Sequence, residues 1–278
     1  MEKLLTSSQV NDYATNGFTS GIQVINEEEL TWCNSEIERF EAETGKPFDF
    51  PHKSKPHHLF EWADYLVHHP KILDAVEDVI GGNILCYHAT LWIKPAQSDA
   101  YVRWHQDGTY FFLSPALHVT AWVALTQADE KAGCMKVLPG SHRNDILPHD
   151  DDHSKLNMIP RGQGIAENLD VAHAQSMSLD AGQMSLHHTN AIHASFANER
   201  TTRRIGLGIS YIPAECQNIG ATPATALLVR GADEFGHLKA EKRLFAAETP
   251  AQNDYHQDLM TIFRNRQDEG TQQPTGAL

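Results

Sequence analysis

The chain has 278 residues, of which 41% are hydrophobic, and its formal net charge is −14 because 36 Asp and Glu outnumber 22 Lys and Arg. This composition is that of a folded globular protein and excludes a mainly disordered chain. Nucleic-acid binding is disfavoured, because phosphate contacts require clustered Lys and Arg. No run of about 18 apolar residues and no signal-peptide pattern is present, so we expect no membrane span. The four scattered cysteines favour the reducing cytoplasm over a disulfide framework or a thiolate zinc site.

The first third of the chain is predicted to be helical. Asn26 and Glu29 have the spacing of a capping box, and the apolar residues that follow recur at helical intervals until Gly45. A second helix is predicted over 70–80, where a proline occupies the first turn and a pair of glycines follows the last one.

From residue 83 the pattern changes to short β-branched or alternating runs, which predict strands. These runs cover 84–94, 118–126, 184–189 and 204–212. The segment 145–180 is weakly periodic and too long for a simple connection, so we expect it to form an excursion over a site. Helices followed by many strands favour an α+β fold with a β-sandwich or barrel core.

The chain contains 17 histidines, so only combinations of them are informative. In the run Trp104–Asp107, His105 and Asp107 project to the same face of a strand, since side chains alternate with a period of two. One more histidine would complete the two-His, one-carboxylate set that suits Fe(II) with open coordination positions. The same spacing recurs at His149–Asp151, inside a polar run, and at His256–Asp258, after the last predicted strand.

The remaining ligand is expected from a later strand. The segment 181–204 offers His187, His188 and His193. The first two have the alternative role of buried or neighbouring histidines, as does His142 in a Pro-Gly-Ser-His turn.

Several motif spacings together resemble the phytanoyl-CoA dioxygenase family of Fe(II)/2-oxoglutarate oxygenases. They are the His-x-Asp pair, the Pro-Gly-Ser-His turn, the run His193-Ala-Ser195-Phe-Ala-Asn198, and Arg204 eleven residues after His193. The resemblance covers nearly the whole chain. It implies one domain over 1–278, with helices in 1–82, a double-stranded β-helix (jelly-roll) core over 83–245, and a C-terminal helix and tail over 246–278.

The resemblance also implies the site residues. His105, Asp107 and His193 would hold Fe(II), and Arg204 would bind the distal carboxylate of the cosubstrate 2-oxoglutarate, with O2 as the second cosubstrate. Arg203 is the competing choice, but neighbouring strand residues face opposite sides, so only one of the two arginines faces the pocket. Further cosubstrate contacts are implied for Thr90, Gln106, Trp122 and Ser195. An upstream cosubstrate lysine falls on Lys53 or Lys55, and the sequence does not choose between them.

The implied reaction is hydroxylation of a substrate C–H bond, with succinate and CO2 as co-products. Asp107 favours this outcome, since related halogenases carry a small residue at the carboxylate position. The substrate is predicted to be a small polar, anionic molecule, with the phosphonate 2-aminoethylphosphonate as a candidate. Arg161, Arg103 and Tyr101 are candidate substrate contacts, with surface side chains as the alternative reading.

Two other functions stay open on sequence grounds. The first is a non-catalytic metal-binding protein on the same fold, since a fold alone does not fix a function. The second is a cupin-like metal hydrolase or isomerase, which would need neither Arg204 nor 2-oxoglutarate.

Overall fold

The computed structural model describes residues 3–152, 154–159, 163–243 and 250–269, and six helices and fifteen strands lie within these ranges. The helices are α1 (Ser7–Asn16), α2 (Glu27–Thr44), α3 (Glu61–Val67), α4 (Pro70–Ile80), α5 (Gly108–Phe111) and α6 (Pro250–Glu269). The strands are β1 (Phe18–Gln23), β2 (Ile84–Lys94), β3 (Val102–His105), β4 (Leu113–Ser114), β5 (Val119–Ala124), β6 (Met135–Val137), β7 (His149–Asp150), β8 (Gly164–Ile165), β9 (Gln175–Met177), β10 (Gln183–His188), β11 (His193–Ser195), β12 (Arg204–Pro213), β13 (Gln217–Asn218), β14 (Thr225–Arg230) and β15 (Lys239–Ala240).

The two helices expected near the N-terminus are confirmed, and local capping explains where they begin and end. Asn26 caps α2 by accepting from the backbone of Glu29, whose carboxylate accepts in return from the Asn26 N–H. Gly45 adopts a left-handed conformation at the end of α2, which a glycine does without strain. Pro70 occupies the first turn of α4, where its missing N–H costs nothing.

Two sheets form the centre of the fold. The larger has the order β1-β10-β5-β12-β2-β14-β15 and is antiparallel except for β14 with β15; the smaller has the order β3-β11-β6-β9. The four predicted strand runs correspond to β2, β5, β10 and β12 of the larger sheet. One hydrophobic cluster joins these strands to helices α2, α3 and α4, so the helical flank and the larger sheet share a core.

A buried ion pair fixes the segment before α6 to the N-terminal flank. Lys55 Nζ lies 2.5 Å from Glu241 Oε1, and both side chains are at most 2% exposed. Glu241 also accepts from His58 Nε2 at 2.7 Å and from Thr225 Oγ1. Despite the opposing effect of burial, Lys55 and His58 lower the pKa of Glu241 from its ordinary value of 4.5 to about 2.

We predict that Glu241→Gln lowers the free energy of unfolding at pH 7 by about 3–5 kcal/mol, because Lys55 keeps a buried, uncompensated charge. Because the pKa of Glu241 is depressed in the folded state, this stabilisation is present above about pH 4.5 and is lost as the pH falls towards 2. Urea unfolding of the variant and of the exposed control Glu38→Gln at pH 7 and pH 3 measures both effects. A destabilisation equal to that of Glu38→Gln would contradict the prediction.

Candidate metal centre

Strand register brings the two predicted histidine ligands together. Strands β3 and β11 pair antiparallel, with His105 directly opposite His193. Both side chains are 5% exposed, and their ring centroids lie 4.1 Å apart. Directly opposed residues point to the same face of a sheet, so the two imidazoles converge on one point.

The ring orientation of each histidine is set by its own backbone. The Nδ1–H of His105 donates to the carbonyl of Arg103 at 2.8 Å, and that of His193 donates to Ala191 at 2.9 Å. In the neutral tautomer each Nε2 then carries the free lone pair, and these atoms lie 3.4 Å and 3.8 Å from Oδ1 of Asp107.

Asp107 follows the end of β3 and completes the group. One ligand atom from each of His105, Asp107 and His193 lies within 4.8 Å of the others. Burial opposes ionisation of Asp107, but the surrounding histidines, His193 foremost, hold its pKa well below the ordinary value. Two neutral imidazoles and one ionised carboxylate are a donor set that fits Fe(II) with open positions.

The competing His-x-Asp pairs do not form such a group. His149 donates to the carbonyl of Leu147 at 2.7 Å, and His256 donates to that of Ser54 at 2.8 Å. Within the described part of the chain, the other cluster that could hold a metal is His57, His58 and Glu241. Glu241 of that cluster is already neutralised by Lys55, which disfavours a cation there.

A third histidine borders the site without joining the ligand group. His187 on β10 is 2% exposed, its ring lies 4.6 Å from that of His193, and its Nε2 is 3.4 Å from Oδ2 of Asp107. Thr120 Oγ1 donates to the same oxygen at 3.0 Å. Oδ2 therefore faces the protein while Oδ1 faces His105 and His193. His188 packs instead against His142, with ring centroids 5.4 Å apart.

A buried cation lies beside the triad. Arg204 is 4% exposed, its Nη1 donates to the carbonyl of Gly133 at 2.8 Å, and its Nε has no hydrogen-bond partner. The guanidinium lies 5.2 Å from the ring centroid of Trp122, and no carboxylate in the described ranges pairs with it. Burial lowers its pKa to about 10. An uncompensated buried charge is costly, so this environment favours an anionic ligand.

Arg203 has the surroundings of a surface residue, as strand alternation predicts. Its Nη1 lies 2.7 Å from Oε2 of Glu41, and its side chain is 34% exposed. The two adjacent arginines therefore face opposite sides of the larger sheet.

A cavity of about 120 Å³ contains the triad and most of the predicted cosubstrate contacts. Thr90, Trp122, Ser195 and Arg204 all line it. Gln106 does not: its side chain is fully buried and bonded to the carbonyl of Asn190 and the N–H of Leu147. The cosubstrate contact implied for Gln106 is therefore not supported, because both ends of its side-chain amide are already bonded to backbone groups.

Lys94 lies beside Ser195 and Arg204, and the sequence analysis did not identify it as a site residue. Lys94 is fully buried, and its Nζ donates to Ser195 Oγ at 2.9 Å and to the carbonyl of Phe196. Burial, together with Arg204, lowers the pKa of Lys94 to about 6. The available signal was its period-two spacing from Thr90 on β2. Lys55 is instead committed to Glu241.

A second cavity of about 690 Å³ opens from His105 and Asp107. Its other described lining residues include six aromatic side chains, which are Phe50, Trp92, Tyr110, Phe111, Phe112 and Phe263. Residues 152, 154, 157–159 and 163 also line it, so part of the predicted excursion 145–180 does border this space. That segment additionally forms β7 and β8 and supplies β9 to the smaller sheet.

Two of the three predicted substrate contacts, Arg103 and Tyr101, do not line this cavity. Arg103 lies in an ion pair with Asp150 at 2.7 Å, and Tyr101 donates to Asp152 at 2.7 Å. Neither residue lines the cavity, and Arg161 is outside the described residues. Among the described residues, the Lys and Arg side chains on the cavity wall are Lys53, which pairs with Asp49 at 2.7 Å, and Arg264 from α6.

Comparison with known proteins gives the family. The model of the phytanoyl-CoA dioxygenase (PhyH) family matches residues 13–206. A probable alpha-ketoglutarate-dependent hypophosphite dioxygenase of Stutzerimonas stutzeri is 27% identical over 77% of this chain and 83% of its own length. The peroxisomal phytanoyl-CoA dioxygenase of Homo sapiens is 30% identical over 54% of this chain, and the match spans only 46% of that protein.

Solved structures agree on the fold. The non-heme monooxygenase ThoJ in its apo form superposes with a TM-score of 0.84 at 31% identity, covering 95% of this chain and 99% of ThoJ. CytC3 with Fe(II) and alpha-ketoglutarate gives a TM-score of 0.64 at 21% identity, covering 89% and 98% of the two chains, and shows the fold alone.

The site and fold define a non-haem oxygenase of the double-stranded β-helix class. More specifically, the chain belongs to the phytanoyl-CoA dioxygenase family. This confirms the family predicted from the sequence and the predicted α+β jelly-roll fold. It also confirms the prediction of an enzyme that uses Fe(II), O2 and 2-oxoglutarate. No described helix is both long and apolar enough to span a bilayer.

We predict that His193→Ala weakens Fe(II) binding roughly 100-fold or more, since it removes a ligand, whereas His187→Ala weakens it only about tenfold, since it removes a neighbour of one. Anaerobic calorimetric titration of Fe(II) into each variant measures the difference. Equal losses in the two variants would mean that His187 is itself a ligand.

Proposed function

We propose that this protein is an Fe(II)- and 2-oxoglutarate-dependent dioxygenase that hydroxylates a C–H bond of a small molecule. The observation that carries the proposal is the buried Arg204 guanidinium, which has no described carboxylate partner and shares a cavity with His105, Asp107 and His193. A metal-binding protein without a cosubstrate would have no physical need for that uncompensated cation.

Each side chain has a defined task in this proposal. His105, Asp107 and His193 hold Fe(II), which when bound supplies the oxygen activation that converts 2-oxoglutarate to succinate and CO2. Arg204 binds the distal carboxylate with charge-assisted hydrogen bonds, for which its unpartnered Nε is available. Ser195 accepts a hydrogen bond from Lys94, so its own hydroxyl proton is free to be donated to the same carboxylate.

Asp107 supports hydroxylation over halogenation. Its carboxylate occupies the position that a halogenase would leave open to an anion, and its low pKa keeps it ionised at neutral pH. Thr120 and His187 border Oδ2, which leaves Oδ1 directed towards the imidazoles. Transfer of hydroxyl rather than halide is the expected consequence.

The substrate would occupy the larger cavity. A volume of about 690 Å³ is that of a site for a drug-sized ligand, and six aromatic side chains line part of its wall. The candidate 2-aminoethylphosphonate would fill only a small part of this cavity. The similarity to a probable hypophosphite dioxygenase is nevertheless compatible with a phosphorus-containing anion as the substrate. We therefore favour a larger substrate that combines an apolar body with a polar or anionic group.

A cytoplasmic location remains part of the proposal. All four cysteines are buried and free in the structure, which is compatible with a reducing compartment.

We predict that Arg204→Gln raises the apparent KM for 2-oxoglutarate at least about 30-fold, corresponding to the 2–5 kcal/mol typical of removing one partner of a buried charge pair. Arg203→Gln is the matched control and should leave this KM unchanged, because Arg203 pairs with Glu41 at the surface. Succinate release as a function of 2-oxoglutarate concentration provides the measurement. The reverse order of effects would overturn the assignment.

The two alternative functions give different results with the wild-type protein. Anaerobic addition of Fe(II) and 2-oxoglutarate should produce a weak metal-to-ligand charge-transfer absorption in the visible range. A cupin-like hydrolase or isomerase would not show this band. A non-catalytic binding protein could show it but would release no succinate when air is admitted.

A further inference from the structure

The C-terminal helix α6 forms one wall of the larger cavity. Phe263 and Arg264 of this helix line the space in front of His105 and Asp107. The residues matched by the family model end at 206, so this wall is built by a part of the chain outside the matched segment. The helix therefore contributes to the site without belonging to the metal and cosubstrate machinery.

Arg266 anchors α6 to the protein core. This residue is 2% exposed, and its guanidinium donates to Tyr87 Oη at 3.0 Å, to Asn218 Oδ1 at 2.7 Å and to the Phe111 carbonyl at 2.7 Å. Phe111 lies four residues after Asp107, so the anchor joins the helix to the segment that follows the metal centre. Such a network fixes the position of the cavity wall relative to the triad.

Two contacts fix the cavity-facing side chains of α6. Phe263 stacks on His88, with ring centroids 4.1 Å apart and planes 14° from parallel. Arg264 lies 5.3 Å from the ring centroid of Phe50. Both partners also line the cavity, so this surface combines flat aromatic faces with one guanidinium.

Arg264 differs from Lys53, the other Lys or Arg that lines the cavity within the described residues. Lys53 is neutralised by Asp49, whereas no carboxylate of the described residues forms an ion pair with Arg264. Asp152 also lines the cavity and accepts a hydrogen bond from Tyr101. In a protein with a net charge of −14, an unneutralised arginine on a cavity wall is an available partner for an anion.

We propose that Arg264 binds an anionic group of the primary substrate while the aromatic wall that includes Phe50 and Phe263 binds its apolar body. The substrate is then an amphipathic anion, such as a carboxylate, sulfonate or phosphonate attached to a flat or extended apolar moiety. This inference rests on the proposed function for its place in the reaction, but the binding specificity can be tested separately.

A pair of fluorescent probes isolates the charge. 1-Anilinonaphthalene-8-sulfonate and N-phenyl-1-naphthylamine share one aromatic body, and only the first carries a sulfonate. We expect Arg264→Gln to raise the Kd of the sulfonate probe at least about tenfold and to leave that of the neutral probe unchanged, with Arg264→Lys retaining most of the preference. Phe263→Leu should weaken both probes, because it removes the stacked wall.

The control is Arg39→Gln, which makes the same substitution at an exposed arginine of helix α2. This variant should change the Kd of neither probe. The inference is overturned if the neutral probe binds the wild-type protein as tightly as the sulfonate, or if Arg264→Gln affects both probes alike or neither of them.

Succinate release without added substrate separates this inference from the proposed function. Failure of the wild-type protein to release succinate would refute the proposed function and leave the probe result standing. Succinate release without any sulfonate preference would refute only the role of Arg264.

Discussion

The pairing of β3 with β11 is the interaction on which the metal site depends, because it places His105 opposite His193. A slip of one residue would turn one imidazole to the other face of the sheet. Strand β11 has only three residues, so its register needs support from outside the strand. Ser141 supplies it: its Oγ accepts from the Ile192 N–H at 2.8 Å and donates to the Leu138 carbonyl. The Pro-Gly-Ser-His turn thus holds the strand that carries the distal histidine.

The shape of the cosubstrate cavity depends on a glycine in β12 as well as on the side chains that line it. A Cβ on Gly206 of β12 would lie 2.1 Å from the ring of Trp122, so glycine is required for this indole to lie flat on the strand. Trp122 in turn packs against the Arg204 guanidinium. Arg204 makes this end of the cavity positive, whereas Asp107 makes the metal end negative. Lys94 adds little charge at neutral pH, because its pKa is lowered to about 6.

The sequence predicted the parts of the structure that depend on local period and spacing. The capping of α2 and the opposite directions of Arg203 and Arg204 follow from helix or strand geometry. His105 and Asp107 do converge, but Asp107 lies beyond the end of β3 with helical backbone angles, so strand alternation is not the reason. The choice between Lys53 and Lys55 stayed open in the sequence for another reason: the partner of Lys55, Glu241, is 186 residues away, and no local pattern reports such a contact.

Part of the cavity proposed for the substrate is built outside the segment that carries the metal site. The triad and Arg204 lie within the segment 13–206 that the family model matches, whereas Phe263 and Arg264 come from α6, which follows it. Members of one fold can therefore keep the oxidative centre while a terminal element alters the space in front of it. Here the two parts are mechanically joined, because Arg266 bonds the carbonyl of a residue in the turn after Asp107. This part of the cavity wall is thereby held against the segment that positions the metal carboxylate.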